Sequence, residues 1–264
     1  MNASVSEWEQ AEITRSESEA LHTSTDRLIA DERNIARYLH PPLDTPYPLE
    51  YAFALLGNVS GRTLLDFGCG SGENSLLLAR RGARVIGVDI SSALLSLAAH
   101  RLALNGVGAD AQFVAGSAHD LPLPDASIDG VLGIAVLHHL DLAASAREIH
   151  RVLKPGGLAI FQEPVRDSLV VRALRRLVPY RAPDVSPFER PLTTVELTGF
   201  ASGFSIDAWR AFSLPFVNLF NVVGAPDALV HRAYRWDRAL LRTLPCLNRV
   251  AAIRVLALRK PRAD

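Results

Sequence analysis

The chain has 264 residues, 48% of them hydrophobic, with 28 basic and 28 acidic side chains. That is enough apolar material for one large core and excludes a chain disordered throughout, while the even charge balance gives no argument for a nucleic-acid or other polyanionic partner. The two cysteines, Cys69 and Cys246, match neither a disulfide framework nor a metal spacing, so no metal is expected and a reducing compartment fits. An N-terminus carrying Glu7, Trp8, Glu9 and Glu12 does not read as a signal peptide. The longest apolar stretch, 212–224, is too short to span a bilayer and contains Pro215 and Asn218. A cytoplasmic protein without a transmembrane segment is the expectation.

In chain order, residues 1–60 read as a helical cap on the main domain. Asp26 to Tyr38 places Leu28, Ile29, Ile35 and Tyr38 near helical spacing, prolines at 41, 42, 46 and 48 follow, and a short helix runs from about Leu49 to Leu56. From Arg62 short apolar runs alternate with helical stretches. The strands are Thr63–Phe67, Arg84–Asp89, Ala111–Ala115, Ile128–Ile134 and Leu158–Glu163; the helices are Glu73–Arg81, Ser91–Leu104 and Leu142–Leu153. Such alternation predicts an α/β fold with a parallel sheet covered on both faces. Beyond Pro164 an Arg- and Pro-rich crossing is expected, then a helix over Thr193–Ala201 and strands over Phe204–Arg210 and Ile253–Leu258. An insertion at about 211–249 separates those strands. Its second part puts Arg232, Arg235, Arg238 and Arg242 on one side of a helix, over an expected buried stripe of Leu and Trp.

The stretch Leu64–Gly72, Leu-Leu-Asp-Phe-Gly-Cys-Gly-Ser-Gly, reads as a strand turning through a glycine loop into a helix, a nucleotide-type site. Its glycines fall at 68, 70 and 72 rather than in the G-x-G-x-x-G spacing of dinucleotide binders, and Asp66 stands two residues before the first. A carboxylate there opposes a pyrophosphate and suits a ligand presenting an ammonium group. S-adenosylmethionine has that group and lacks phosphates.

With Val85-Ile86-Gly87-Val88-Asp89-Ile90-Ser91, Asp120-Leu121-Pro122-Leu123-Pro124-Asp125, Leu137-His138-His139-Leu140 and Leu153-Lys154-Pro155-Gly156-Gly157 in order, the chain resembles the class I S-adenosylmethionine-dependent methyltransferases acting on small molecules. The resemblance implies a doubly wound, Rossmann-like, mostly parallel seven-stranded sheet with the last strand antiparallel. It also implies a binding domain at 61–264, with the cap and the insertion added to it. Carried over position by position, it implies Gly68 and Gly70 against the methionine portion, with Asp66 favouring its ammonium directly or through water. Asp89 would take the ribose hydroxyls and Ile90 the adenine face, with Ile134 among the cofactor residues. The family often places an acid after the third strand to receive the adenine amino group. Here that position is Ser117, which leaves adenine selection more to the Ala118 backbone.

Methyl transfer is an in-line displacement that mainly needs alignment and exclusion of water. A base near a hydroxyl acceptor helps, and His138, His139 and Glu163 fall at the tips of the fourth and fifth strands, each also readable as a scaffold residue. The acceptor is expected to be a small, hydrophobic molecule methylated on oxygen or nitrogen. The cap and an insertion bearing Phe212, Pro215, Phe216, Phe220 and Trp236 would enclose it, unless those aromatics form the insertion's own core. A protein that binds the cofactor for sensing or scaffolding, without transfer, is the competing reading.

Overall fold

The computed structural model describes residues 5–167 and 191–262, so most of the crossing expected after Pro164 lies outside the described residues. Strands β1 (Thr63–Phe67), β2 (Arg84–Asp89), β3 (Ala111–Ala115), β4 (Ile128–Ile134), β5 (Leu153–Pro164), β6 (Ser205–Phe212) and β7 (Ile253–Arg259) form one sheet in the order β3-β2-β1-β4-β5-β7-β6. Only β7 runs against its neighbours, pairing antiparallel with both β5 and β6. The chain winds outward from β1 to β3 and then crosses back to β4, and this reversal opens a crevice beyond the carboxyl ends of β1 and β4.

Side-chain alternation along each strand feeds two cores. Leu64, Leu132, Ile160 and Val255 point to one face, where α2 (Glu32–Leu39), α3 (Pro48–Leu55) and α4 (Glu73–Arg80) pack. Leu65, Val131, Phe161 and Leu256 point to the other, under α6 (Leu142–Val152) and α7 (Thr194–Phe200). Burial on both faces is why the strands read as continuous apolar runs, each enclosed Leu, Ile or Phe contributing roughly 1.5–3 kcal/mol.

The N-terminal segment differs from the single helix expected over 26–38. After α1 (Val5–His22), a 3₁₀ turn at Thr25–Leu28 gives way to extended backbone before α2. Asn105, which ends α5 (Ser92–Leu104), competes for that backbone: its carboxamide oxygen accepts the Ala30 N–H at 2.9 Å and its nitrogen donates to the Leu28 carbonyl at 2.8 Å. Asp31 then starts α2 by accepting the Arg33 N–H.

The insertion forms α8 (Pro215–Val222) and α9 (Asp227–Thr243). The buried Leu and Trp stripe expected beneath its arginines is not there: Trp236 is 48% exposed, and the inward positions of α9 are Ala233 and Asp237. Asp237 turns inward because it accepts the Ser213 and Leu214 N–H groups at 3.0 and 2.7 Å, where the chain leaves β6 through a left-handed Ser213. Phe212 is taken into the main core beside Tyr51, and Phe216 packs near Leu214 and Leu247. These aromatics serve packing, and none of them lines the crevice at the strand ends.

Candidate active site

The loop after β1 is built by backbone geometry that only glycine tolerates. Gly68 has φ +68°, and a Cβ there would stand 2.3 Å from Val136 Cγ2; Gly70, at φ +50°, has open space where its Cβ would be. Arg101 of α5 holds the loop from behind, donating to the Ser71 carbonyl at 2.8 Å and to the Arg27 carbonyl at 3.2 Å. In front, Asp89 at the end of β2 accepts Gly70 N–H on Oδ2 and Ser91 N–H on Oδ1, both at 2.9 Å. Each oxygen keeps a second lone pair for a ligand hydroxyl.

Asp66 is placed differently. It is buried beneath the loop, its Oδ2 accepting the Ser75 hydroxyl at 2.6 Å, and it does not border the cavity. Burial pushes its carboxyl up to about 7, the nearby Asp89 adding to the rise and the Ser75 hydroxyl opposing it. Cys69 is buried as well, and burial with the two aspartates pushes its thiol up, which keeps it protonated and unsuited to nucleophilic work.

At the end of β4, Ala135 adopts a left-handed conformation (φ +54°) and turns the next two amides inward. Glu163, fully buried on β5, accepts both: Val136 N–H at 2.9 Å and Leu137 N–H at 2.8 Å on Oε1, with His138 Nδ1 2.8 Å from Oε2. Glu163 and His138 therefore form a buried brace for the loop after β4. The His139 ring lies over His138, centroids 4.1 Å apart, and borders the cavity.

The cavity follows the crevice from Phe67 and Gly68 past Asp89 and Ile90 to Gly116 and Ala118, and its near wall is Val136, His139 and Leu140. Helix α1 closes it, presenting Glu9, Glu12, Arg15 and Ser16. Glu12 Oε1 lies 3.3 Å from His139 Nδ1, an ion-pair separation, and its Oε2 accepts from Arg15 Nε at 3.0 Å. Although burial works the other way, His139 and Arg15 hold the Glu12 carboxyl down at about 2. Glu9 Oε1 accepts from Ser117 Oγ at 2.5 Å and lies 3.2 Å from His119 Nδ1.

Of the residues singled out from sequence, Gly68, Gly70, Asp89, Ile90, Ala118 and His139 share this cavity. Asp66, Glu163 and His138 sit behind it as supports, Ser117 is reached through Glu9, and Ile134 packs against the core under α2–α4. Sequence reasoning missed Glu9, Glu12 and Arg15 on α1, and also Arg101 and Ser75. Their signal was helical spacing of polar residues, which a solvated face produces equally well. The donor set fits a nucleoside carrying an ammonium group: a carboxylate with spare lone pairs, an apolar slot, a second acid beneath the loop, and Arg15 already engaged by Glu12 rather than left for a phosphate.

A doubly wound sheet with an acid-flanked glycine loop at its reversal point defines a nucleoside-binding protein of Rossmann-like class. A family profile described as a methyltransferase domain (Methyltransf_11) matches residues 65–161. A protein of Mycolicibacterium smegmatis named "probable S-adenosylmethionine-dependent methyltransferase" is 34% identical over 193 residues, covering 69% of this chain and 70% of that protein. A ubiquinone biosynthesis O-methyltransferase of Alkalilimnicola ehrlichii is 34% identical over 155 residues, 55% of this chain and 62% of that one. Among solved structures, geranyl diphosphate C-methyltransferase from Streptomyces coelicolor, crystallised with geranyl diphosphate and S-adenosyl-L-homocysteine, superposes with a TM-score of 0.62 at 16% identity over 98% of this chain and 100% of that one, a likeness of fold alone. The chain belongs to the S-adenosylmethionine-dependent methyltransferases.

Proposed function

We propose that the protein methylates an oxygen or nitrogen of a small, largely apolar molecule in the cytoplasm, with His139 as the base when the acceptor is a hydroxyl. The observation that carries this reading is the placement of His139, at the end of β4 on the cavity wall, with Nδ1 3.3 Å from the Glu12 carboxylate. Neither ring nitrogen makes a hydrogen bond among the described residues: Nδ1 faces the Glu12 carboxylate at ion-pair distance, which leaves Nε2 for an acceptor. In this reading Asp89 holds the ribose, Ile90 and Ala118 flank the adenine, and Gly68 and Gly70 let backbone approach the amino-acid end. Asp66 acts from beneath the loop, through water or through Asp89's surroundings, rather than by contact.

When bound, S-adenosylmethionine supplies an electrophilic methyl group on a sulfonium. The chain's part is to align the acceptor, exclude water under α1 and remove a proton. An apolar acceptor is supported by Phe67, Val136 and Leu140 on the cavity wall and by the quinone chemistry in the name of the A. ehrlichii relative. No helix among the described residues is long and apolar enough to cross a membrane.

The test is methyl-labelled S-adenosylmethionine offered with a panel of phenols, carboxylic acids and amines, product position being read by mass spectrometry. Transfer to a hydroxyl acceptor is expected, with His139→Asn lowering kcat by about 10²–10⁴-fold at little change in cofactor affinity. A protein that binds the demethylated cofactor but labels no acceptor sinks the reading. Unchanged kcat in His139→Asn removes the base role alone.

A further inference from the structure

The loop after β3 turns no acid of its own to the cavity, since its Asp120 is exposed and does not line it. The loop there presents Ser117, Ala118 and His119, and only Ser117 and His119 bring polar side chains. Yet an acid stands at that spot, because Glu9 of α1 reaches 108 residues along the chain to accept the Ser117 hydroxyl at 2.5 Å. His119 shows how firmly Glu9 is held. Its Nε2 accepts the Asp141 N–H at 3.0 Å, so the proton of the neutral ring is on Nδ1, which faces Glu9 Oε1 at 3.2 Å. Two donors thus converge on Oε1. The other oxygen, Oε2, has no partner among the described residues, and Glu9 borders the cavity.

We propose that Glu9, delivered by the N-terminal helix, is the residue that reads the exocyclic amino group of the cofactor's adenine. This rests on the cofactor placement given above. A purine whose ribose is held by Asp89 and whose ring lies in the slot between Ile90 and Ala118 directs its far edge at the β3 loop. There an amino group donates to the unused Glu9 oxygen, while a carbonyl in its place faces the same charge without a proton between them. Ser117 and His119 position the carboxylate; Glu9 makes the discrimination. The roof of the cavity and the selection of the base are then one device: a ring with the wrong edge fails to hold α1 down.

The experiment compares calorimetric binding of S-adenosyl-L-homocysteine with that of S-inosyl-L-homocysteine, which carries a carbonyl where adenine carries the amino group. Wild type is expected to prefer the adenosyl compound by about tenfold or more, and Glu9→Ala to lose about 5–30-fold in adenosyl affinity, flattening the preference. Glu9→Gln is the sharper variant. With its carbonyl oxygen kept by Ser117 and His119, its amide nitrogen takes the place of Oε2 and donates, so the preference should turn toward the inosyl compound, which a merely structural role does not produce. Adding Ser117→Asp to Glu9→Ala should restore the adenosyl preference. Circular dichroism and unfolding midpoints establish that each variant is folded. Adenosyl binding in Glu9→Ala equal to wild type, with the preference intact, overturns the role of Glu9 alone. A wild-type protein that binds neither compound overturns the cofactor placement and this inference with it.

Discussion

Asp66 and Ser75 meet at 2.6 Å beneath the glycine loop, and this hydrogen bond turns the Asp66 carboxylate away from the cavity that its neighbour Asp89 borders. Two acids beside the same loop thus have different work. Asp89 borders the cavity; Asp66 carries a proton-linked cost under the loop.

That cost has a direction. Asp66 titrates near the ordinary carboxylate value when unfolded and at about 7 when folded, so below the unfolded value it is protonated in both states and opposes folding in neither. As pH rises towards 7 the unfolded state releases this proton and the folded state keeps it, so stability falls; above 7 the loss is constant. Between pH 5 and 8 the wild type should lose on the order of 2–3 kcal/mol relative to Asp66→Asn. Urea unfolding of both proteins across that range measures it, and parallel pH curves would contradict it.

Glu163 predicts a structural loss. Replacing it by Ala leaves the Val136 and Leu137 N–H groups and His138 Nδ1 without their buried acceptor, at a cost of about 3–5 kcal/mol. Glu163→Gln keeps one acceptor oxygen and should lose less. Chemical denaturation ranks the two, and the amides of Val136 and Leu137 should show the earliest rise in hydrogen exchange.

The loop glycines separate folding from binding. Gly68→Ala drives a Cβ against Val136 Cγ2 at a positive φ and should destabilise the fold by about 2–4 kcal/mol. Gly70→Ala meets no neighbour within 4 Å, so its cost is the left-handed strain alone, about 1–2 kcal/mol. Because Gly70 borders the cavity, the added methyl should weaken cofactor binding more than it weakens the fold. Thermal shift and calorimetry on the pair test the order.

Asp89→Ala should weaken binding of S-adenosyl-L-homocysteine by about 1–3 kcal/mol through lost ribose hydrogen bonds. The Gly70 and Ser91 amides lose their acceptors too, so part of the effect is a looser loop. Asp89→Asn keeps one acceptor oxygen and separates the two contributions. Calorimetric affinity equal to wild type in Asp89→Ala would remove it from the ribose role.

The strand-turn-helix at Leu64–Gly72 and the carboxylate at Asp89 were legible in the sequence because they depend on local rules. Buried parallel strands need continuous apolar runs, left-handed turns need glycine, and an acid beside the loop restricts the ligand's charge. The succession of strands and helices along the chain followed from the same local rules. What stayed illegible were relationships between distant segments. No local pattern distinguishes Glu163 as a brace from Glu163 as a base, since that depends on Ala135 turning two amides towards it across β4 and β5. The sequence likewise offered Ser117 as a position without charge; only the packing of α1 across the crevice brings Glu9 to it. Composition and periodicity determined that there is an α/β sheet with an acid-flanked nucleoside loop. Tertiary structure decided which acids border the cavity, because burial and hydrogen-bond partners, rather than residue type, determine where a carboxylate points and what charge it holds.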